Sequence, residues 1–262
     1  MQSISRQLLL AILLAGGWLF VSPSAFAQSL GDFQLSYGYN YGLGARRDAL
    51  SSDKQSAPGK FTVFLSSKLS LRVETSSVKS LRTEGQPRNT GIGDTSFGAN
   101  FQLLTEDPEK KWPGFAVDYS AKIPTASKGL GSGEVDHQIL GILSRTFTKR
   151  LYGEIDGGVY ISGVAQGAST KSGLISIIGS IGLGPARRGD FKWSLLEEID
   201  LATAVTGTPT SLTSTLLLSR TLSPKWTLVA GGNAGITPYD PKVGFTFGVK
   251  YSGSFRPQHL KH

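Results

Sequence analysis

The side chains able to do chemistry in this chain are few and of few kinds. Cys is absent and there are three His. Without Cys there is no disulfide, no thiolate metal site, no thiol nucleophile and no lipid-bearing Cys. His259 and His262 lie in the last few residues, which leaves His137 as a candidate base. A lipid-cleaving barrel would need a His bonded to a Ser and oriented by a third polar group. On an alternating strand the same-face neighbour of His137 is Ile139, so no such group is expected and no enzyme is predicted. No spacing of His and acids suggests a metal ligand set, and no cofactor is expected. Gly91-Ile92-Gly93-Asp94-Thr95 holds a Gly-x-Gly, but the rest of a phosphate loop and its helix are missing. Asp94 then reads as a strand-entry residue that pairs with a neighbouring strand or lines a passage.

Carboxylates, amines and phenols remain. The acids are Asp118, Asp136, Glu154, Asp156, Glu198 and Asp200, and the bases are Lys122, Lys128, Lys192, Arg220 and Lys250. Their chemistry is electrostatic. Set around an aqueous passage they would fix ion preference; paired with each other they would plug it. Lys128-Gly129-Leu130-Gly131-Ser132-Gly133 reads either as a loop folded inward to a constriction near Lys122 and Lys128, or as a flexible surface loop. Tyr152 and Tyr160 either line a path for an apolar solute or sit in an interfacial girdle.

The elements that would carry these residues are strands. Val243, Phe245, Phe247, Val249 and Tyr251 alternate with Gly244, Thr246, Gly248, Lys250 and Ser252. The same period-two pattern sets Leu151, Ile155 and Val159 against Tyr152, Glu154, Asp156 and Tyr160, and Val117 and Tyr119 against Asp118 and Ser120. Turn-forming clusters separate such runs. Twelve strands are predicted: 33–41, 61–67, 69–82, 92–104, 114–124, 135–147, 150–162, 173–184, 190–202, 212–222, 225–237 and 242–255. Short turns alternate with generally longer connections. Gly42 to Gly59 is the longest, and it would place Arg46, Arg47, Lys54 and Lys60 in an external loop.

At the N-terminus Arg6 precedes the apolar run Leu8 to Val21, and Ala25-Phe26-Ala27 offers a cleavage site. This pattern predicts a secretory signal peptide over residues 1–27. Because Arg6 is the one charge it carries, the net charge of +8 falls to +7 for residues 28–262. Beyond residue 27 no apolar run is long enough for a spanning helix. Alternation also suits a soluble β-sandwich or lipocalin-like barrel. Export, long strands, their even number and the many ionisable groups on the polar face favour a membrane barrel with a wet lumen. The expectation is therefore all-β: one closed antiparallel transmembrane β-barrel over residues 28–262, with 256–262 as a short tail.

Gly91-Ile92-Gly93-Asp94-Thr95 followed by Phe97-Gly98-Ala99-Asn100-Phe101, and Lys122-Ile123-Pro124-Thr125 running into Lys128-Gly129-Leu130-Gly131-Ser132-Gly133-Glu134-Val135-Asp136, are distinctive. In this order they resemble the outer-membrane β-barrel family labelled "MetA-pathway of phenol degradation". The resemblance spans about 33–255 and is sharpest over 91–136. It implies a transporter-like barrel admitting aromatic or other poorly soluble compounds. One departure is the tail Arg256 to His262, which runs past Phe255, where an assembly-signalling aromatic residue commonly ends the chain.

The expected function is passive admission of small solutes through the outer membrane. The expected partners are outer-membrane lipid and lipopolysaccharide, the barrel-assembly machinery and a small-molecule solute. The basic residues of the turns, such as Lys149, Arg150, Arg187, Arg188 and Lys225, suit anionic head groups at the rims. They form no nucleic-acid motif, and no nucleic acid is expected. The alternative is a structural or surface-recognition barrel with a closed lumen.

Overall fold

The computed structural model describes residues 30–47, 50–107, 109–163, 170–183, 193–204, 211–237 and 240–255. The predicted signal peptide, the tail 256–262 with its two His, and Arg187, Arg188 and Lys192 lie outside them. No described residue is helical. The strands are β1 (Asp32–Arg47), β2 (Leu50–Phe64), β3 (Leu69–Thr83), β4 (Asn89–Gly91), β5 (Thr95–Leu104), β6 (Gly114–Ile123) and β7 (Asp136–Thr146), followed by β8 (Leu151–Ser162), β9 (Thr170–Leu183), β10 (Trp193–Ala204), β11 (Ser211–Thr221), β12 (Trp226–Gly235) and β13 (Val243–Ser254). β4 is three residues long; the other twelve span 10 to 16.

These strands form one antiparallel sheet. Its order is β2-β1-β13-β12-β11-β10-β9-β8-β7-β6-β5-β3-β4, with a further pairing of β2 to β3. Each of the twelve long strands therefore has a partner on both sides. The first strand pairs with the last, from Asp32 opposite Ser254 to Leu43 opposite Val243. Chain neighbours pair because short turns join them. Leu65 N donates to Leu69 O at 2.9 Å, Phe147 N to Leu151 O at 2.8 Å and Leu222 N to Trp226 O at 2.9 Å.

The segment 42–59 corrects the sequence reading. It is not a loop: β1 runs on to Arg47, β2 starts at Leu50, and their register continues from Phe33–Val63 to Arg47–Leu50. Arg46 and Arg47 belong to β1, and Lys54 and Lys60 to β2. The segment hid because Ser51 to Lys60 is almost wholly polar and contains Pro58 and Gly59, so it lacks the apolar half of the alternation. Pro58 is accommodated where the register with β3 slips: Ala57 lies opposite Val78 but Pro58 opposite Ser76. Proline inside a sheet needs such a bulge because it has no N–H to give. Ser77, the extra residue, donates to Ala57 O at 3.1 Å and bonds the Tyr37 hydroxyl at 2.8 Å. The Tyr37 ring in turn covers Gly59, its cross-strand partner.

The two faces of the sheet invert the arrangement of a soluble protein. Large apolar side chains are exposed: Phe245 at 57%, Phe247 at 56%, Ile155 at 52% and Ile139 at 44%. Ionisable ones on the opposite face are buried: Asp156 and Asp136 at 1%, Glu198 at 3% and Lys250 at 6%. In water the first group would be costly, and in a dry core so would the second. At the short-turn end, rings gather on the apolar face. Phe33 stacks on Phe255 at 4.6 Å between centroids, and Trp226 meets Tyr251 at 4.8 Å. The Phe255 N–H also donates to Gly31 O at 2.8 Å, so the end of β13 is tied to the start of β1.

Candidate functional site

The polar face is the only part of the molecule with dense ionisable chemistry among the described residues, and three groups of side chains build it. The first spans three strands. Arg72 on β3 reaches over Gly98 on β5 to pair with Asp118 on β6, its Nη2 lying 2.6 Å from Oδ1. A Cβ at Gly98 would fall 2.6 Å from the guanidinium carbon, so the missing side chain leaves the path that this ion pair takes. Asn100 Nδ2 adds a longer contact to Asp118, at 3.4 Å.

The second group joins the two motifs that carry the family resemblance. Lys122 forms ion pairs with Asp136, its register partner on β7, and with Asp94 at 3.6 Å. Asp94 holds the connection after β6 by accepting from Ala126 N at 3.0 Å and Ser132 N at 3.2 Å. Ser127 Oγ accepts from Ile92 N at 3.1 Å, and Asn89 Nδ2 donates to Lys128 O at 2.9 Å. Leu130 is only 1% exposed, so this Gly-rich segment is packed down onto residues 89–94. Gly129 and Gly133 take positive φ, of 77° and 76°, a conformation that favours glycine. Asp136 reaches further, accepting from Gly163 N at 3.0 Å. Tyr160 is buried on the same face, whereas the Lys128 side chain is exposed.

The third group lies on β8 and β10. The Tyr152 hydroxyl donates to Glu154. Asp156 follows on the same face, and neither of its carboxylate oxygens has a hydrogen-bond partner. Register puts Glu154 in one row with Glu198, through Ile178 on β9, and Asp156 in the next row with Asp200, through Ser176. Across the sheet order, Lys250 and Lys60 flank Ser36 in a single row.

Arg220 departs from the set of polar-face bases. It lies on the opposite face, with its guanidinium 4.9 Å from the Trp193 ring centre. Among the described acids and bases of the sequence reading it is the exception, because β11 places Ser211, Thr213 and Leu217 inward and hence position 220 outward. His137 also faces outward, and its Nδ1 is 2.9 Å from the Tyr119 hydroxyl. No group of three His, Cys, Asp or Glu that could hold a metal occurs among the described residues.

Sequence reasoning missed two carboxylates that fasten connections. Asp240 accepts from Leu212 N at 2.9 Å and Thr237 Oγ1 at 2.7 Å, and Glu106 accepts from Thr146 N at 2.7 Å. Each bonds to residues remote in sequence or across a turn, which no local pattern marks.

No protein-family model matches the chain, and no curated protein does. Solved structures do. The COG4313 outer membrane channel from Pseudomonas putida F1 is 13% identical, with a TM-score of 0.65 over 90% of this chain and 100% of that one. The KdgM porin is 12% identical, with a TM-score of 0.54 over 85% of this chain and 99% of that one. The NanC porin is 10% identical, with a TM-score of 0.54 over 86% of this chain and 100% of that one. At such identities the likeness is one of architecture: this chain has the all-β fold of outer-membrane barrel channels and porins.

Proposed function

We propose that the protein is an outer-membrane channel. In this reading residues 1–27 direct export. Residues 28–262 form a closed twelve-stranded barrel, and small solutes diffuse through its lumen without a cofactor. The observation that carries the reading is the inverted sheet, with apolar side chains exposed on one face and ionisable ones enclosed on the other. Lipid stabilises the first face, and a hydrated passage stabilises the second. Closure is supported by the pairings of β1 with β13 and of β2 with β3, which leave no long strand with an open edge. An unpaired edge would be untenable in hydrocarbon. The channel and porin neighbours support the same role.

Selectivity then arises from the polar face: Asp94, Asp118, Lys122, Asp136, Tyr152, Glu154, Asp156, Tyr160, Glu198, Asp200 and Lys250. Lys128, exposed at the stapled connection, belongs to the outer mouth. The phenol-degradation resemblance adds an aromatic or poorly soluble solute, and the Tyr152 and Tyr160 rings on the polar face support it. Outer-membrane lipid and lipopolysaccharide surround the apolar face, and the barrel-assembly machinery receives β13 and its tail.

The test is permeation. Proteoliposomes made with the full purified protein are expected to swell in arabinose and to conduct KCl in planar bilayers. Protein that migrates as a folded barrel yet admits neither would overturn the channel and favour a barrel with a closed lumen.

A further inference from the structure

The charges of the polar face are not scattered round the sheet. Glu154, Asp156, Glu198 and Asp200 lie on β8 and β10, in two adjacent rows. Lys250, Lys60, Lys54 and Lys79 lie on β13, β2 and β3, where Glu74, the register partner of Lys60, offsets one of the four positive charges. Following the order of pairings, β9, at the centre of the acidic group, is six strands from β2 in either direction. In a closed barrel that is the opposite wall. The heights agree as well: Lys60, Lys250 and the four acids lie three to seven residues from the short-turn ends of their strands.

The two flanks between these walls carry little net charge. On one side Arg72 is paired with Asp118, and Lys122 with Asp94 and Asp136. On the other, β11 and β12 present Thr213, Leu217, Thr227 and Val229. Strands about 4.8 Å apart and tilted by about 40° make a twelve-strand barrel roughly 20–25 Å across its backbone. A Lys and a Glu side chain together reach only about 10 Å, so the walls cannot neutralise each other by contact. Asp156 sharpens the point. It is 1% exposed, both of its oxygens lack hydrogen-bond partners, and Glu154 on its own strand face and Asp200 in its own row are carboxylates too. A carboxylate so placed is costly to keep charged unless a cation pairs with it.

We propose that the β8–β10 carboxylates, centred on Asp156, are a station for the ammonium group of a permeating solute, and that Lys60 and Lys250 receive its acid group. The preferred solute class is then the small zwitterion, held crosswise in the lumen. Among the described residues no three acids lie close enough together to hold a metal ion, so an organic cation fits better. This proposal rests on the channel reading above.

The experiment compares 4-aminobutyrate with neutral arabinose in osmotic swelling of proteoliposomes, after subtraction of protein-free vesicles. The wild-type chain is expected to admit the zwitterion several-fold faster than arabinose. Asp156→Asn with Glu198→Gln, and separately Lys60→Gln with Lys250→Gln, are expected to bring the ratio toward one. A wild-type ratio of one overturns the proposal without any variant. So does a ratio that responds to only one wall, which would mean a simple cation or anion site. Failure of arabinose itself to enter overturns the channel reading instead, and so is distinguishable.

Discussion

At the residue scale, the Arg72–Asp118 pair shows how a long-range ion pair depends on a missing side chain. The guanidinium passes over Gly98, and the Asp118 side chain it meets is only 7% exposed. Removing one partner of such a pair strands the other, at a cost of about 3 kcal/mol, whereas replacing both with apolar groups is nearly neutral. Asp118→Asn is therefore expected to lower the urea midpoint of the detergent-solubilised protein clearly. The double change Arg72→Met with Asp118→Leu should restore most of the loss. Gly98→Val should behave like Asp118→Asn, because its side chain would occupy the path of the guanidinium. A Gly98→Val midpoint equal to wild type would contradict the role assigned to that glycine.

At the element scale, the connection from β6 to β7 is held by Asp94, which accepts two of its backbone N–H groups. Hydrogen bonds to a charged group contribute about 1.5–3 kcal/mol each. Asp94→Ala is expected to free residues 124–135 and to speed tryptic cleavage after the exposed Lys128 at least tenfold in intact proteoliposomes. An unchanged cleavage rate would place the hold elsewhere, at Leu130 or Ser127. The same element shows what was legible beforehand. The alternation of Leu151 to Ser162 or Val243 to Ser254 gave its strand and its two faces directly, because apolar and polar side chains take turns along it. Residues 50–60 lack that contrast, so a strand looked like a loop. The break between β2 and β3, by contrast, was expected between strands 61–67 and 69–82, and it falls close by, with β2 ending at Phe64 and β3 starting at Leu69. The ionic partners were hidden for another reason. Lys122 meets Asp136 and Asp94, and Glu154 shares a row with Glu198, only through strand register, and register is not written in any single strand.

At the scale of the whole molecule, the inverted faces make a prediction about depth. Trp226 is 45% exposed on the apolar face at the short-turn end, beside Tyr251 and one strand from the Phe33–Phe255 stack. An aromatic girdle belongs at the interface between hydrocarbon and head groups. A variant keeping Trp226 as its sole Trp is expected to be quenched more strongly by lipids brominated near the head group than by those brominated at the chain end. Equal weak quenching by both would argue against the lipid contact. The proposed split of charge into opposite walls belongs to this scale too, since it emerges only when the order of all twelve long strands is followed.

The pairing of Asp32 with Ser254 also sets a timetable. The strand made first cannot meet one of its two partners until the strand made last has left the ribosome. Throughout that interval β1 carries an exposed backbone edge lined with Leu35, Tyr37 and Tyr39, the kind of edge that recruits other chains into aggregates. The sheet therefore stays unfinished until its last strand is made. A stop codon anywhere before β13 would leave a product with nothing to close against, however many of its other hairpins were intact.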